Sequence, residues 1–435
     1  MDGYGTVLAV HHGRLREYQT TAVSCLRGMS GRSTDEGGGG SRAVRFALSD
    51  DEAGTLTVGP GPRPARASFQ VHGSAGDRGL RRIGALPAAC TRPASDDPRA
   101  VFDVFWRSLD ENYPFFAAKG IDWSAVRDRY RPEVHAGTTD DELFAVFRKM
   151  IEPLHDAHVS IDGGPGRRFG TSRPGTTLPG PDLDRDVTAY IQERDLGGRP
   201  LRTFARGRIG FADLPGDLGY LRLSGFSGWT DERHPGYAAH RAELDRALDA
   251  VLTPERTRGM RGLIIDLRIN GGGYDALGLR LASRLTGRTH FAYTKRARND
   301  PADPSRHTEP RPVYVRPAAA PRFTGPVAVL TGGSTISAGE TFTQALMDRP
   351  GRTVRIGEPT QGVFSDVMGR TLPNGWTVGV PNEEFLTSSG RTFDGAGVPP
   401  HLSEPVFTEA EFAHRRDSAF DRALTVLRRR PDSRP

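Results

Sequence analysis

The chain has 435 residues, room for two or three domains at about 100–200 residues each, and its 36% apolar residues and 53 glycines exclude a disordered or fibrous chain. The formal charge of +6 arises from 59 basic against 53 acidic residues, and only Lys119, Lys149 and Lys295 are lysines. The arginines are spread along the chain rather than clustered, which argues against a nucleic-acid-binding face.

Residues 1–94 read as a small β-rich module. The runs Thr6 to Val10, Leu15 to Val23, Ala43 to Leu48, Thr55 to Val58 and Ser68 to Val71 are separated by Gly, Pro and Asp clusters, the pattern of short strands between turns. The run Gly37 to Gly40 has the composition of a flexible loop tip. Cys25 and Cys90 are the only cysteines; they form either one disulfide, as an oxidising compartment would allow, or two inert thiols. No apolar window of about 18 residues predicts a membrane span. The first residues lack the basic and apolar regions of a signal peptide, so either the protein is intracellular or the numbering starts downstream of an export signal.

From residue 95 to 162 the period becomes helical. Phe102, Phe105, Trp106 and Leu109 share one helix face, and Thr139 to Glu142 reads as a capping box opening a second helix. That helix stops near Pro153, and the stretch Leu154 to Ile161 alternates like a strand. Residues 163–208, rich in Gly, Pro and Arg, read as a linker or long loop. Residues 209–406 then alternate strand and helix: strands at Gly219 to Leu223, Gly262 to Leu267, Val327 to Leu330 and Val354 to Ile356, helices at Ala239 to Leu252, Ala276 to Leu285 and Ala338 to Asp348. This implies a mixed α/β sheet covered on its faces, with a hairpin at Pro373-Asn374-Gly375. Residues 407–435 form a tail with one amphipathic helix, Glu409 to Arg429, carrying Phe412, Phe420 and Leu424 inward.

Two loops carry the chemistry. Asp266-Leu267-Arg268-Ile269-Asn270-Gly271-Gly272-Gly273 follows a buried strand, and successive glycines let backbone N–H groups approach an anion closely; the same glycines also suit a purely structural turn. Gly332-Gly333-Ser334-Thr335-Ile336-Ser337-Ala338-Gly339-Glu340 turns a strand into a helix, exposing a serine hydroxyl beside the next N–H. Taken alone, these serines and Glu340 equally suit a helix cap.

In this order the loops resemble the signature of the carboxy-terminal-processing and tricorn-like serine peptidases, in which a strand ending D-L-R-x-N-x-G-G precedes a strand ending S-A-x-E. The resemblance runs from about Asp97 to Leu402. It includes Trp106, Asn112-Tyr113, Asp122-Trp123, Asp156-Ala157-His158, Gly357-Glu358-Pro359-Thr360-Gln361-Gly362 and Gly397-Val398-Pro399-Pro400. It implies an α/β core of crotonase-like (ClpP-like) spiral type, Ser337 as nucleophile, and an oxyanion hole from the N–H of Ala338 and of Gly272 or Gly273. Dyad enzymes of the family activate their serine with a lysine after the G-E-x-T-x-G loop, but no lysine follows Lys295. The 50 positions from His158 to Arg208 are too few for the PDZ insert of many dyad enzymes. The histidine branch instead takes its base from the D-x-H turn, here His158, an imidazole able to accept the serine proton near neutral pH.

A late carboxylate orients that histidine in the family, and Asp394 occupies the matching region, with Glu383, Glu384 and Glu340 as rivals. Ala157 stands where tricorn-like enzymes can place a further serine. The resemblance implies peptide or unfolded-protein substrates, export, and no metal or organic cofactor. Two other readings share the fold: a non-catalytic carrier of a small ligand, and a crotonase-type acyl-CoA enzyme in which the serine has no task.

Overall fold

The computed structural model describes residues 4–34, 43–48, 54–231 and 236–428; the glycine run 37–40 lies outside them. The chain divides into two compact units. The first comprises residues 1–174, 295–311 and 365–385, and the second residues 175–294, 312–364 and 386–435. Among the described residues no helix is long and apolar enough to cross a membrane.

The first unit opens with a seven-stranded antiparallel meander in which strands pair in chain order from Thr6–His11 to Arg78–Arg81. Alternation places Leu15, Phe46, Leu56 and Phe69 on one buried face, with Phe46 opposite Leu56 and Val58 opposite Phe69. The strands Cys25–Ser33 and Arg78–Arg81 were not anticipated. Their arginines and glycines hide the alternation, and pairing to neighbours that do alternate recruits them.

Cys25 and Cys90 are joined in a disulfide across 65 positions. Closing a loop of that length restricts the unfolded chain and is worth about 2–4 kcal/mol. Reduction, or a Cys25→Ser/Cys90→Ser double variant, is therefore expected to lower the melting temperature by roughly 5–15 °C. Calorimetry with and without reductant reads this, and an unchanged midpoint would show that the bridge is structurally idle.

The helices follow the meander in the chain. Asp97 caps the helix Pro98–Asn112 by accepting the Arg99 N–H, with Pro98 in the first turn. The Thr139–Glu142 capping box starts the helix Asp140–Ile151. Phe105 stacks on Phe147 at 3.9 Å, and Trp106 and Trp123 each donate their indole N–H to the other's carbonyl, at 2.9 and 3.1 Å. This face packs on a four-stranded sheet ordered Val367–Thr371, Thr377–Pro381, Ser160–Asp162, Arg168–Gly170, burying Val378 and Val380 in the same core. The hairpin at residues 373–375 joins the first two of these strands. The alternating stretch 154–161 is extended only from Ser160, because Glu152–Leu154 form a helical turn and His155 is left-handed, with φ 48°.

The meander is fastened to strand Val367–Thr371. The Gln19 amide donates to the Gly369 carbonyl and accepts from the Thr371 N–H, both at 2.9 Å, so one side chain extends the sheet ladder. Nearby, Lys295 pairs with Asp366 (3.1 Å) and Glu383 (2.9 Å), Arg78 pairs with Asp366 (3.2 Å), and the Tyr4 hydroxyl donates to Glu383 (2.8 Å). Two cations and two carboxylates balance in this buried cluster.

The second unit is built on a seven-stranded sheet ordered Arg202–Phe204, Ile209–Leu214, Leu218–Leu223, Gly262–Asp266, Val327–Thr331, Thr353–Gly357, Leu402–Ser403. The first two pairings are antiparallel and the remaining four parallel. Strands Gly262–Asp266 and Val327–Thr331 are buried at every position, as expected of strands covered on both faces. Ile264, Ala328, Leu330 and Ile356 share a core with Phe420, Ala423 and Leu427.

Further elements depart from the sequence reading, among them the strands Arg168–Gly170 and Arg202–Phe204 inside the stretch read as a linker. Within the stretch read as linker, Pro181–Tyr190 is a helix, and Val187, Ile191 and Leu196 enter the core; its polar face hid the period. The single tail helix is instead two, Glu409–Ala413 and Ser418–Arg428, and Phe412 is 37% exposed. The break has a cause: Arg415 is left-handed (φ 51°), the Glu411 carboxylate accepts the Ser418 N–H at 2.7 Å, and Asp417 accepts the Phe420 N–H at 2.9 Å. Asp417 also receives the guanidinium of Arg268, which grips Asp266 as well.

Candidate active site

Strands Gly262–Asp266 and Val327–Thr331 run parallel with Ile265 opposite Val329, so both leave the sheet at the same end. Each continues into a two-residue bridge in which Ile269 faces Ser334 and Asn270 faces Thr335. The glycine loop and the serine loop thereby lie side by side. A Cβ added at Gly272 would stand 2.6 Å from Ser337 Cβ and 3.1 Å from Ser337 Oγ, and the residue is at φ 71°. Only glycine fits there on both counts.

The two candidate glycine donors differ. The Gly272 N–H is occupied, donating to Asn270 Oδ1 at 3.0 Å. Gly273 is bracketed by Phe226 N–H donating to Gly272 O (2.6 Å) and Tyr274 N–H donating to Phe226 O (3.1 Å). The Asn270 side chain, which takes the Gly272 N–H, leaves that of Gly273 unengaged by it. Ala338 begins the helix Ala338–Ala345, where a first-turn N–H has no intrahelical partner. Asn270 was not anticipated. Its amide also donates to Leu223 O at 2.9 Å, and its signal was its fixed place between the strand end and the glycines.

Ser337 is half-buried and holds φ 54°, ψ −121°, a conformation that costs a non-glycine residue about 1–3 kcal/mol. Its N–H donates to the Val363 carbonyl (3.2 Å) and to the Glu340 carboxylate (3.0 Å). Glu340 is fully buried and does more than cap. It also accepts the Thr360 hydroxyl and the Gly362 N–H, both at 2.6 Å, and the Val363 N–H at 2.9 Å. Burial pushes its carboxyl up to about 7, against the pull of these donors.

The loop that Glu340 holds in turn carries the loop of Asp394. Gly395 N–H donates to Gly362 O at 2.8 Å, and the Thr360 hydroxyl accepts Val398 N–H at 2.7 Å. Asp394 accepts the Phe364 N–H at 3.3 Å, and its own N–H donates to the Thr392 hydroxyl at 3.0 Å. The rival carboxylates are engaged otherwise: Glu383 in the Lys295 cluster and Glu384 with Arg296 at 2.7 Å.

His158 belongs to the first unit. Asp156, itself buried, shapes its turn by accepting His158 N–H at 2.9 Å and the Tyr113 hydroxyl at 2.7 Å. Burial lowers the imidazole pKa below its ordinary value, while the negative charges of Asp156 and Asp366 pull the other way. Its Nδ1 is buried with no hydrogen-bond partner among the described residues. Ser337, Ala338, Gly272, Gly273 and Asp394 all lie in the second unit.

Residues 217–403 match Peptidase family S41, and residues 94–152 match the Tricorn protease C1 domain. A Streptomyces coelicolor protein named as a tricorn protease homolog is 26% identical over 431 residues, covering 82% of this chain and 34% of the relative. The chain thus spans about a third of the length of that curated relative. Among solved structures, a Parabacteroides merdae protein described as a peptidase is 26% identical, with a TM-score of 0.64 over 78% of this chain and 100% of that one. Mature CPAF complexed with lactacystin is similar in fold, at 13% identity and a TM-score of 0.53 over 76% and 97% of the two chains. The glycine loop and the serine turn lie within the region that matches Peptidase family S41, and the segment before that region matches the Tricorn protease C1 domain, so the chain is similar to the peptidases of that family.

Proposed function

We propose that this protein is a serine peptidase that hydrolyses peptide bonds through an acyl-enzyme on Ser337, with a core of crotonase-like spiral type. The observation that carries the proposal is the juxtaposition of a half-buried serine in a strained strand-to-helix turn with a glycine loop whose close approach no other residue permits. A carrier of a small ligand has no use for that strain. An acyl-CoA enzyme would use the glycine loop and leave the serine idle.

In the proposed reaction the neutral imidazole of His158 takes the Ser337 proton as Oγ attacks the scissile carbonyl. The oxyanion is stabilised by the Gly273 and Ala338 N–H groups, a contribution of about 2.7–4 kcal/mol per donor. Gly272 serves by its shape, since its N–H is already engaged. His158 then protonates the leaving amine, and water repeats the sequence to release the acyl group. Asp394 is the proposed acceptor for the His158 Nδ1–H, supported by its match to the family's acidic position and by the unfilled hydrogen-bonding capacity of that nitrogen. The disulfide supports an exported protein, because such bridges persist in oxidising compartments.

A fluorophosphonate probe tests the proposal. Covalent labelling at Ser337, mapped by mass spectrometry, is expected; an unlabelled serine in folded protein would return the carrier reading. The labelling rate is expected to be at its plateau at pH 7 and to fall only below about 6.5, the ordinary imidazole value, because the depressed pKa of His158 keeps the base neutral into mild acid. A descending limb centred above that value would exclude a buried imidazole as the base.

A further inference from the structure

A fully buried charge cluster at the start of the glycine loop has no role in the chemistry above. Arg268 lies two residues before Asn270, whose side chain accepts the Gly272 N–H. Its Nε and Nη2 donate to Asp266 at 3.0 and 2.7 Å, and its Nη1 donates to both oxygens of Asp417 at 2.6 Å. Asp195 ends the turn Ile191–Asp195 that continues the helix Pro181–Tyr190, and it brings a third carboxyl to 3.9 Å from Nη2. The side chains of Arg268 and Asp195 expose no surface.

Three buried carboxyls around one guanidinium are unfavourable if all are ionised, because each anion taken from water needs its own donors. The donors here are unequally shared. Asp266 also accepts the Arg268 N–H at 3.1 Å and the Tyr220 hydroxyl at 2.7 Å, and Asp417 also accepts the Phe420 N–H at 2.9 Å. Asp195 Oδ1 accepts from Arg194 at 3.1 Å, a guanidinium that Asp421 engages more closely, at 2.6 Å. Asp195 Oδ2 has no donor among the described residues. The Asp195 and Asp417 carboxyls lie within hydrogen-bonding reach of each other, so a proton on Asp195 fills that gap and leaves Asp417 an anion for Arg268. Burial and the Asp417 charge push the Asp195 carboxyl up to about 9, against the pull of Arg268 and Arg194. The neighbouring phenols of Tyr190 and Tyr220 are raised above their ordinary value by burial and stay neutral across the same range.

We infer that Asp195, protonated and hydrogen-bonded to Asp417, is a positioning residue for the glycine loop, acting through the hold of Asp417 on Arg268. Loss of the proton sets two anions against each other and loosens that hold, two residues from the side chain that fixes the Gly272 N–H. The inference rests on the peptidase reading for what the loop does; the proton itself does not. Fluorophosphonate labelling of the full-length protein is expected to show a second fall, on the alkaline side of its plateau, and to be about tenfold slower at pH 10 than at pH 8. In Asp195→Asn, whose amide donates to Asp417 at every pH, that alkaline fall is expected to vanish while the acid limb stays where it was. A parent without an alkaline fall, or the same fall in both proteins, would overturn the inference.

Denaturant melts read the proton without any chemistry at the serine. A carboxyl raised from 3.8 to about 9 in the folded chain contributes stability that is fully present below pH 3.8 and is lost as pH rises to about 9. The folding equilibrium constant of the parent relative to Asp195→Asn is therefore expected to drop about tenfold for each pH unit between about pH 5 and 8. A ratio that does not change with pH would show Asp195 ionised throughout and overturn the inference. If Asp195→Asn fails to fold, Asp195→Ser, uncharged and with an O–H to donate, takes its place in both measurements. Failure of the peptidase reading shows separately, as absence of labelling in the parent at any pH, and the melts then decide whether Asp195 holds its proton.

Discussion

Replacing Ser337 with alanine is expected to lower peptide hydrolysis by about four to six orders of magnitude while leaving the fold intact. The hydroxyl is the only part removed. The backbone bonds that hold the turn, Ser337 N–H to Val363 O and to Glu340, remain, and alanine at φ 54° bears a strain similar to that of serine. Replacing His158 with alanine is expected to cost a comparable factor, because the hydroxyl is a poor nucleophile until its proton is taken. The double variant should be scarcely worse than either single one, since residues acting as a unit lose their joint effect once. A protease assay on purified variants, with circular dichroism as the folding control, reads all three. Hydrolysis that survives Ser337→Ala would remove the mechanism, and additive losses would show that the serine and histidine do not act together.

Much of this site could be read from the residues, and what could not has identifiable causes. The buried strands at Gly262 and Val327 announced themselves as continuous apolar runs, and their parallel pairing then required the two loops that follow to emerge together. Ser337 and the glycines were legible because a turn at that location demands particular residue types. That the Gly272 N–H is engaged was not, because this rests on the Asn270 side chain accepting it, a tertiary fact that glycine spacing does not encode. The helix Pro181–Tyr190 was hidden for a different reason, its apolar face being short and surrounded by charge.

Glu340 is where the sequence reading was right about the chemistry and too small about the role. Read as a helix cap, it accepts four donors from two separate loops and so couples the Ser337 turn to the segment on which the Asp394 loop rests. Glu340→Ala would take their carboxylate acceptor from the Gly362 and Val363 N–H groups and the Thr360 hydroxyl in a fully buried space, at about 1–3 kcal/mol each before relaxation, while the Ser337 N–H keeps the Val363 carbonyl. A net loss of about 3–5 kcal/mol is expected, together with a fall in kcat larger than any change in KM, since the turn of the proposed nucleophile rather than the substrate site is disturbed. Glu340→Gln separates hydrogen bonding from charge. The folded carboxyl is raised from 4.5 to about 7, so the parent's stability from this group is fully present below pH 4.5 and declines as pH rises to about 7. Glutamine does not titrate, so the parent's advantage over Glu340→Gln is expected to narrow across that window by roughly 3 kcal/mol, because each tenfold difference in acidity between the folded and unfolded chain corresponds to about 1.4 kcal/mol. Denaturant melts of both proteins on either side of the window, in mild acid and just above neutral pH, measure it. An advantage that widens with pH would mean that the four donors outweigh burial, and that Glu340 holds the nucleophile as a full anion.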